Sequence, residues 1–180
     1  MNVAAEERAE VLTALRDSCT RFLHALDSIP PALQQQSAAE GRWSVLQCLE
    51  HVVNAEEGML KLWRIMGHRG STERDRDEWV RAAASDRSNK RQAPERVVPQ
   101  GRIKSVAEGR ERFVAARAAT MAFVEKMRDE DLRGKVVPHP MAGTADGYQL
   151  FNIMALHAER HAEQIIETAN QLTALSRGEA

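Results

Sequence analysis

Four long stretches of the sequence repeat apolar residues at three- and four-residue steps, which is the spacing of an amphipathic α-helix. They run over about residues 5–28, 44–66, 105–127 and 148–175. Pro30–Pro31 ends the first stretch, because proline cannot continue a helix. Four helices of this length must bury their apolar faces against one another, so the sequence predicts an all-α fold, a four-helix bundle.

The predicted second and third helices each begin with a serine that suits the first turn. Ser44 is followed by Gln47, and Ser105 is followed by Glu108. In such a capping box each side chain bonds to the backbone N–H of the other residue, which satisfies donors that a helix leaves open at its start. The two serines therefore mark the expected helix starts.

The connections between the helices also carry information. Residues 67–104 join the second and third helices and are longer than a hairpin needs, so they can cross the bundle and make these helices parallel. Trp79 and Val80 favour a short helix inside this connector. Residues 129–146 are expected to form an ordered lead-in to the last helix. We predict a single domain over residues 1–180, with 67–104 as an elaborated connector.

Composition and charge exclude several classes of protein. The formal net charge of -1 gives no global field that would attract nucleic acid or an anionic membrane. No apolar stretch approaches the roughly 18 residues of a membrane span, and the acidic N-terminus lacks the apolar core of a signal peptide. Two cysteines are too few for a disulfide framework. We expect a cytoplasmic protein that binds neither nucleic acid nor membrane.

Two histidines interrupt the apolar stripe of the last helix, which otherwise consists of Leu150, Ile153, Met154, Ile165, Thr168 and Leu172. His157 and His161 are four residues apart, so they are turned by only about 40° and separated by about 6 Å along the axis. Two neutral imidazoles so placed can coordinate one divalent ion. The alternative is a pair of histidines bonded to backbone or carboxylate groups. Ala158 excludes the His-Glu-x-x-His motif of metalloproteases.

A third histidine, His51, lies on the second predicted helix among small residues. Its helical face also carries Ser44, Cys48, Ala55 and Gly58. Small side chains let a neighbouring helix approach closely, which would place His51 at a seam between helices. There it could complete a site of three nitrogen ligands with one open position, as in catalytic zinc sites. A lone histidine at the edge of the core is an equal alternative.

Three motifs follow one another in a fixed order along the chain. Residues 41–56 contain a Trp-Ser pair and, seven residues after the Ser, His51. Residues 139–143 read His-Pro-Met-Ala-Gly, and residues 157–165 fit His-x-x-x-His-x-x-Gln-Ile. In this order and spacing the chain resembles the DinB-like family of metalloenzymes over essentially its whole length. Ala142 departs from the aromatic or large aliphatic residue that many members carry before the Gly, which affects the expected pocket wall.

The resemblance implies a fold and a metal site. The fold is an up-down-down-up four-helix bundle, in agreement with the long connector. The implied cofactor is a divalent metal ion, zinc or nickel in many members, held by His51, His157 and His161. Because His51 and His157 both lie early in their predicted helices, the ends of these helices must be staggered if they run antiparallel.

The resemblance also implies an activity and an assembly. The expected enzyme acts on a small-molecule substrate, either as a hydrolase or as a transferase that uses a low-molecular-weight thiol such as mycothiol or bacillithiol. Family members often form homodimers. The alternative is a non-catalytic, dimeric helical bundle that the metal stabilises.

Four further residues are candidates for roles around the proposed ligands. Glu56 could be a partly buried carboxylate that orients a ligand, or it could lie at a solvated rim. Arg160 could bind an anionic substrate group, or pair with a neighbouring glutamate on the surface. Gln164 could bond a ligand histidine, and His139 could close over the metal or shape the turn that follows it. The candidate catalytic residues are therefore Glu56, Arg160 and His139.

Two other features suggest different chemistry. Cys48 lies three residues before His51 and could be a nucleophile, but an inert buried thiol is favoured, because no nearby cation is assured to lower its pKa. Residues 87–104 could contact phosphates, but they lack interleaved aromatic residues, so a solvated connector is favoured. The basic residues of this segment are Arg87, Lys90, Arg91, Arg96, Arg102 and Lys104.

Overall fold

The computed structural model describes residues 3–88 and 92–178. Within these ranges the helices are α1 (Val3–Asp27), α2 (Val45–Met66), α3 (Arg76–Ser85), α4 (Val106–Lys126), α5 (Asp129–Gly134) and α6 (Gly147–Arg177). The strands are β1 (His68–Arg69), β2 (Lys135–His139) and β3 (Gly143–Asp146), and short 3-10 turns cover Pro31–Leu33 and Glu95–Val97. The four predicted long helices correspond to α1, α2, α4 and α6, so the predicted all-α fold is confirmed.

The caps of these helices agree with the sequence in part. Ser44 and Gln47 form the full capping box of α2, with N–H···O distances of 3.2 and 2.9 Å. At α4 the Ser105 hydroxyl accepts the Glu108 N–H at 3.2 Å, but the Glu108 carboxylate accepts the N–H of Lys104 at 2.8 Å, one residue earlier than predicted. The second capping box is thus corrected to a single serine cap.

Side-chain contacts fix the directions of α2 and α4. Leu49, near the start of α2, lies against Gly109, near the start of α4. Arg64, near the end of α2, lies over the ring of Phe123, near the end of α4. The two helices are therefore parallel, and residues 67–104 return the chain from the end of one to the start of the other, as the length of this connector predicts.

The helices α1 and α6 are also parallel, and α6 runs against α2. Tyr148, at the start of α6, donates a hydrogen bond to Glu10 of α1 at 2.8 Å. Further along both helices, Arg21 of α1 pairs with Glu159 of α6. Trp63, near the end of α2, packs on Phe151, near the start of α6. The order is therefore up-down-down-up, as predicted.

The length of α6 accounts for the predicted stagger. This helix has 31 residues, so His157 lies well inside it rather than at its start. Cys48, near the start of α2, lies beside His161, with 3.4 Å between Sγ and Nδ1. Beyond that level Ile165 joins the core cluster that contains Ile29, which follows α1. Because α6 extends past the start of α2, the histidines of the two helices come level.

A small antiparallel sheet lies where α2 ends and α6 begins, and the sequence does not predict it. The central strand β2 pairs with β1 through Val136 and His68, and with β3 from Val136 to His139. Pro138 interrupts β2, and β1 has only two residues, so neither shows a strand pattern. Residues 129–146 are ordered, as predicted, but as α5 followed by a hairpin.

The connector contains the predicted short helix, α3, which packs on α6. Val80 is buried on its inner side, whereas Trp79 is 52% exposed. Among the helices of the described ranges, none is long and apolar enough to cross a membrane.

An ion pair lies in the interior of the bundle between α2 and α4. Glu56 and Arg117 are 2% and 1% exposed and meet through two hydrogen bonds of 2.8 and 3.0 Å. Arg117 also donates to the Leu15 carbonyl, the Ser18 hydroxyl and the Met154 carbonyl. A buried charge needs this degree of pairing, since desolvation otherwise makes it costly. The pair thus connects all four long helices at one level.

Candidate metal centre

The structure brings the three predicted ligand histidines together. His51 on α2 and His157 and His161 on α6 place one ring nitrogen each within 4.8 Å of one another. The Nε2 atoms of His51 and His157 are 3.1 Å apart. His51 and His161 are buried, and His157 is partly exposed. Two helices that run in opposite directions therefore supply one cluster of imidazoles.

The ring of His51 is oriented by the connector. Its Nδ1 lies 2.9 Å from the carbonyl oxygen of Val97, and because a carbonyl only accepts, Nδ1 carries the proton. The Nε2 atom then keeps its lone pair and faces His157. The indole of Trp43 packs against the other side, with ring centroids 4.8 Å apart. This arrangement is the one that metal-binding histidines typically show, with the second nitrogen bonded to a carbonyl.

The neighbouring Glu50 holds in place the segment that follows Val97. Its carboxylate is fully buried and accepts three backbone N–H groups at 3.0 to 3.1 Å. The donors are Gln100, Gly101 and Arg102. Neither Glu50 nor Val97 was a predicted site residue. The sequence does show that Glu50 is an acidic residue among mostly apolar ones at residues 48–53, which indicates a buried role. Nothing in the sequence identifies the backbone groups that Glu50 binds.

The ring of His161 is oriented within α6. Its Nδ1 lies 2.9 Å from the Gln164 side-chain oxygen, one helical turn further on. When Nδ1 donates this hydrogen bond, Nε2 keeps its lone pair and is free to accept. The structure therefore places Gln164 in the contact that the sequence suggested for it.

The electrostatic surroundings keep the three imidazoles neutral. Burial lowers the pKa of His51 and holds the pKa of His157 well below its ordinary value, and the neighbouring histidines add to the effect at His157. Burial lowers the pKa of His161 to about 3, with added repulsion from Arg160 and, when both rings carry a proton, from His51. Neutral imidazole is the form that coordinates a metal, so these rings need not lose a proton near pH 7.

The donor set fits a divalent transition metal. Two nitrogens bound to one tetrahedral zinc at about 2.0–2.1 Å lie about 3.3 Å from each other. The separation of 3.1 Å between the two Nε2 atoms of His51 and His157 is close to that value. Three neutral nitrogens suit zinc, nickel, copper or iron better than the oxygen-seeking magnesium and calcium.

The histidines line an open cleft of about 1250 Å³. The walls combine apolar and charged side chains from α2, α6, the connector and the hairpin. Lining residues besides the histidines include Arg42, Trp43, Met59, Leu62, Arg87, Pro94, Arg96, Met141, Ile153, Arg160, Glu163, Gln164 and Glu167. A small molecule can therefore reach the imidazoles from solvent.

Two of the three candidate catalytic residues line this cleft. Arg160 lines it and donates to the backbone carbonyl of Asp86. Its predicted surface partners Glu159 and Glu163 are bonded by Arg21 and Arg87. His139 lines the cleft, and its Nδ1 accepts the N–H groups of the next two turn residues at 3.3 Å each. It therefore shapes the turn and also faces the same space as His157.

The third candidate, Glu56, is placed elsewhere. It is not among the cleft-lining residues, and both of its carboxylate oxygens are bonded to Arg117 in the bundle interior. The position five residues after His51 turns it about 140° away around the helix. The structure therefore corrects both sequence-based readings of Glu56, as a carboxylate near the ligands and as a rim residue.

Cys48 is buried beside His161, and burial raises the pKa of its thiol to about 12. The thiol is therefore protonated at neutral pH, as the inert reading expects. In the basic connector, Arg87 pairs with two glutamates of α6, while Arg102 and Lys104 bond within their own loop. Arg96 lines the cleft, and Lys90 and Arg91 lie outside the described residues.

Comparisons with known proteins agree with this fold. The structure of YfiT from Bacillus subtilis is similar, with a TM-score of 0.62 over 93% of this chain and 89% of that chain. At 10% sequence identity the likeness concerns the fold alone. YfiT is described as "a probable metal-dependent hydrolase with an unusual four-helix bundle topology". No curated protein matches the sequence significantly. The sequence pattern of the DinB superfamily matches residues 6–165, nearly the whole chain, and the chain therefore belongs to the DinB superfamily.

Proposed function

We propose that the protein binds one divalent metal ion through His51, His157 and His161 and is a metal-dependent enzyme acting on a small molecule. The observation that carries the proposal is the convergence of three neutral imidazoles, within 4.8 Å of one another, on the wall of an open cleft. Zinc or nickel is the proposed metal, because both accept neutral nitrogen donors and the resemblance to the family favours them.

The residues around the ligands prepare the site. When bound, such an ion supplies Lewis acidity, which lowers the pKa of a water molecule or a thiol. Val97 and Gln164 fix two ligand rings through their Nδ1 atoms, so their Nε2 atoms stay available as donors. Preorganised rings lose little entropy on binding, which favours a tight and well-oriented site.

His139 is the proposed proton donor. Because its Nδ1 accepts two backbone N–H groups, the neutral ring carries its proton on Nε2. That proton can pass to a leaving group held in the cleft. A His139→Gln variant is expected to keep its metal content and to lose turnover by about 10²- to 10⁴-fold.

The proposed reaction is hydrolysis, or transfer to a low-molecular-weight thiol. The description of YfiT supports the first option through a shared fold. Both need an open position beside the ligands, which the cleft provides. A panel of ester, amide and electrophile substrates, each with and without added small thiols, distinguishes them. Turnover only with thiol identifies a transferase, turnover without it a hydrolase, and none across the panel contradicts both.

Metal analysis tests the ligand assignment directly. Purified wild-type protein is expected to contain about one zinc or nickel ion per chain. A His157→Ala, His161→Ala double variant is expected to lose it, whereas His24→Ala, which removes an exposed histidine of α1, keeps it. Unchanged metal content in the double variant would place the ion elsewhere.

The alternative is a bundle that the metal only stabilises. It predicts an ion sealed by protein ligands, whereas the three histidines lie on an open cleft of about 1250 Å³. We propose that the molecule is a homodimer, as the family suggests, and sedimentation equilibrium measures its assembly. A monomer would contradict that part of the proposal and leave the metal site unaffected.

A further inference from the structure

The cleft around the three histidines carries more positive than negative charge. Among the described lining residues the carboxylates are Glu163 and Glu167. Arg87 bonds both, with 3.0 Å to Glu163. Because one guanidinium meets two carboxylates, this cluster keeps one negative charge, and the other guanidinium groups of the lining are those of Arg42, Arg96 and Arg160.

Two of these guanidinium groups are uncompensated. Within residues 3–88 and 92–178, the side chains of Arg42 and Arg96 have no hydrogen-bond or ion-pair partner. Arg160 also lines the cleft and donates to the backbone carbonyl of Asp86.

The proposed ligands cannot balance this charge. Three neutral imidazoles bring no negative charge, in contrast to sites where a carboxylate completes the ligand set. A divalent ion would therefore add two positive charges to a cleft that already holds the guanidinium groups of Arg42 and Arg96. Like charges repel one another, and an anion bound between them relieves that repulsion. An anionic ligand would supply negative charge that the three neutral imidazoles do not.

The other walls of the cleft are apolar, which indicates that part of the ligand is apolar too. Trp43, Met59, Leu62, Met141 and Ile153 supply apolar surface next to the histidines. On these grounds we infer that the substrate is a small organic anion whose apolar part lies against these walls and whose oxyanion group binds Arg42 and Arg96. The inference rests on the proposed function, because it names the substrate class of the same site. A guanidinium fork matches a planar carboxylate in particular.

Binding of three matched probes to the zinc-loaded protein tests the inference by calorimetry. Phenylacetate and benzylphosphonate are anions, and phenylacetamide has the same apolar body without charge. The expected result is binding of at least one anion roughly tenfold or more tightly than the amide. The preferred anion then identifies the oxyanion as carboxylate or phosphonate.

An arginine double variant separates the guanidinium groups from the metal. The Arg42→Gln, Arg96→Gln variant is expected to bind the preferred anion roughly tenfold or more weakly than the wild type does. Its zinc content is expected to equal that of the wild type. Arg112→Gln, which removes an exposed partner of Glu57 outside the cleft, serves as the control and leaves binding unchanged. Equal binding of anion and amide, or wild-type anion binding by the double variant, would overturn the inference.

The two proposals fail in different ways. Zinc content measured on the same samples reports on the metal site alone. If the wild type holds no metal, the proposed function fails, and the arginine-dependent difference between anion and amide is still measured on the metal-free protein. If the metal is present and the anions show no preference, only the substrate class is wrong.

Discussion

Glu50 and His51 are neighbours in α2 whose side chains hold the same connector at two points. The carboxylate accepts three N–H groups between Gln100 and Arg102, and the imidazole donates to Val97. A charged acceptor that meets three donors in a buried place forms stronger hydrogen bonds than a neutral one. The position of the His51 ring thus depends on a residue that is not among those lining the cleft.

Replacing Glu50 should loosen this part of the connector. Glu50→Gln keeps the size of the side chain but puts an NH₂ group where a carboxylate oxygen accepts an N–H. We therefore expect the free energy of unfolding to fall by about 1–3 kcal/mol and metal to bind more weakly. Urea denaturation and metal titration measure the two effects. Glu57→Gln, on the exposed side of the same helix, should change stability by less than about 0.5 kcal/mol.

The thiol of Cys48 should be inert in the native protein. Burial raises its pKa to about 12, so almost none of it is thiolate at pH 8. In a Cys19→Ser variant we expect iodoacetamide to leave Cys48 unmodified over hours, as mass spectrometry would show, and to modify it rapidly in urea. Equal rates in the two conditions would mean that the cleft reaches this sulfur.

The site residues could be predicted only where their signal is local. His157, His161 and Gln164 share one helix, so their relative positions follow from helical spacing. His51 depended on resemblance, because periodicity alone places no residue of α2 against a given residue of α6. Val97 could not be found at all, since its role lies in a main-chain carbonyl that any residue offers.

At the scale of elements, close contact between α2 and α4 depends on one glycine. A Cβ atom at Gly109 would lie 2.5 Å from Leu49 Cδ2 and 2.8 Å from its Cγ, and Leu49 is fully buried. The two parallel helices therefore approach closely at the level of the connector loop, beside the segment that Glu50 holds.

Two glycine-to-alanine substitutions test this close contact between α2 and α4. Gly109→Ala should destabilise the protein by about 1–3 kcal/mol, because overpacking outweighs the gain in helix propensity. Gly58→Ala, where nothing lies within 4 Å of the new methyl group, should stabilise it by about 0.5–1 kcal/mol. Thermal unfolding of both variants gives the comparison, and equal effects would contradict the close contact.

The long helices were predictable, whereas the sheet was not. Apolar periodicity over twenty residues outweighs local exceptions, so α1, α2, α4 and α6 follow from the sequence to within a few residues. The strands β1 and β3 have two and four residues, too few for an alternating pattern to emerge. The pairing of β1 with β2 joins the segment after α2 to the segment before α6, which only the assembled bundle brings together.

For the whole molecule, the neutral histidines predict how stability changes with pH. Their pKa values in the folded protein lie below the ordinary value of about 6.5, which applies to the unfolded chain. Between these values the unfolded chain binds more protons, so the stability of the metal-free protein should fall as the pH drops below about 6.5.

Urea denaturation of chelator-treated protein between pH 7.5 and 5 measures this dependence. Each buried histidine should contribute a slope of up to about 1.4 kcal/mol per pH unit. A His157→Gln, His161→Gln variant should show a flatter dependence, whereas His24→Ala should match the wild type. An identical slope in the glutamine variant would mean that these rings are not the groups responsible.

His51 and His157 lie side by side on helices that run in opposite directions. A metal bound by both would therefore affect how long the fold lasts. An ion shared by α2 and α6 would join two segments that are 106 positions apart in the chain, and neither helix could shift by one turn without releasing it. Each tenfold rise in free metal above the dissociation constant would then add about 1.4 kcal/mol to stability. A cell short of that metal would then lose the folded protein itself to unfolding and degradation.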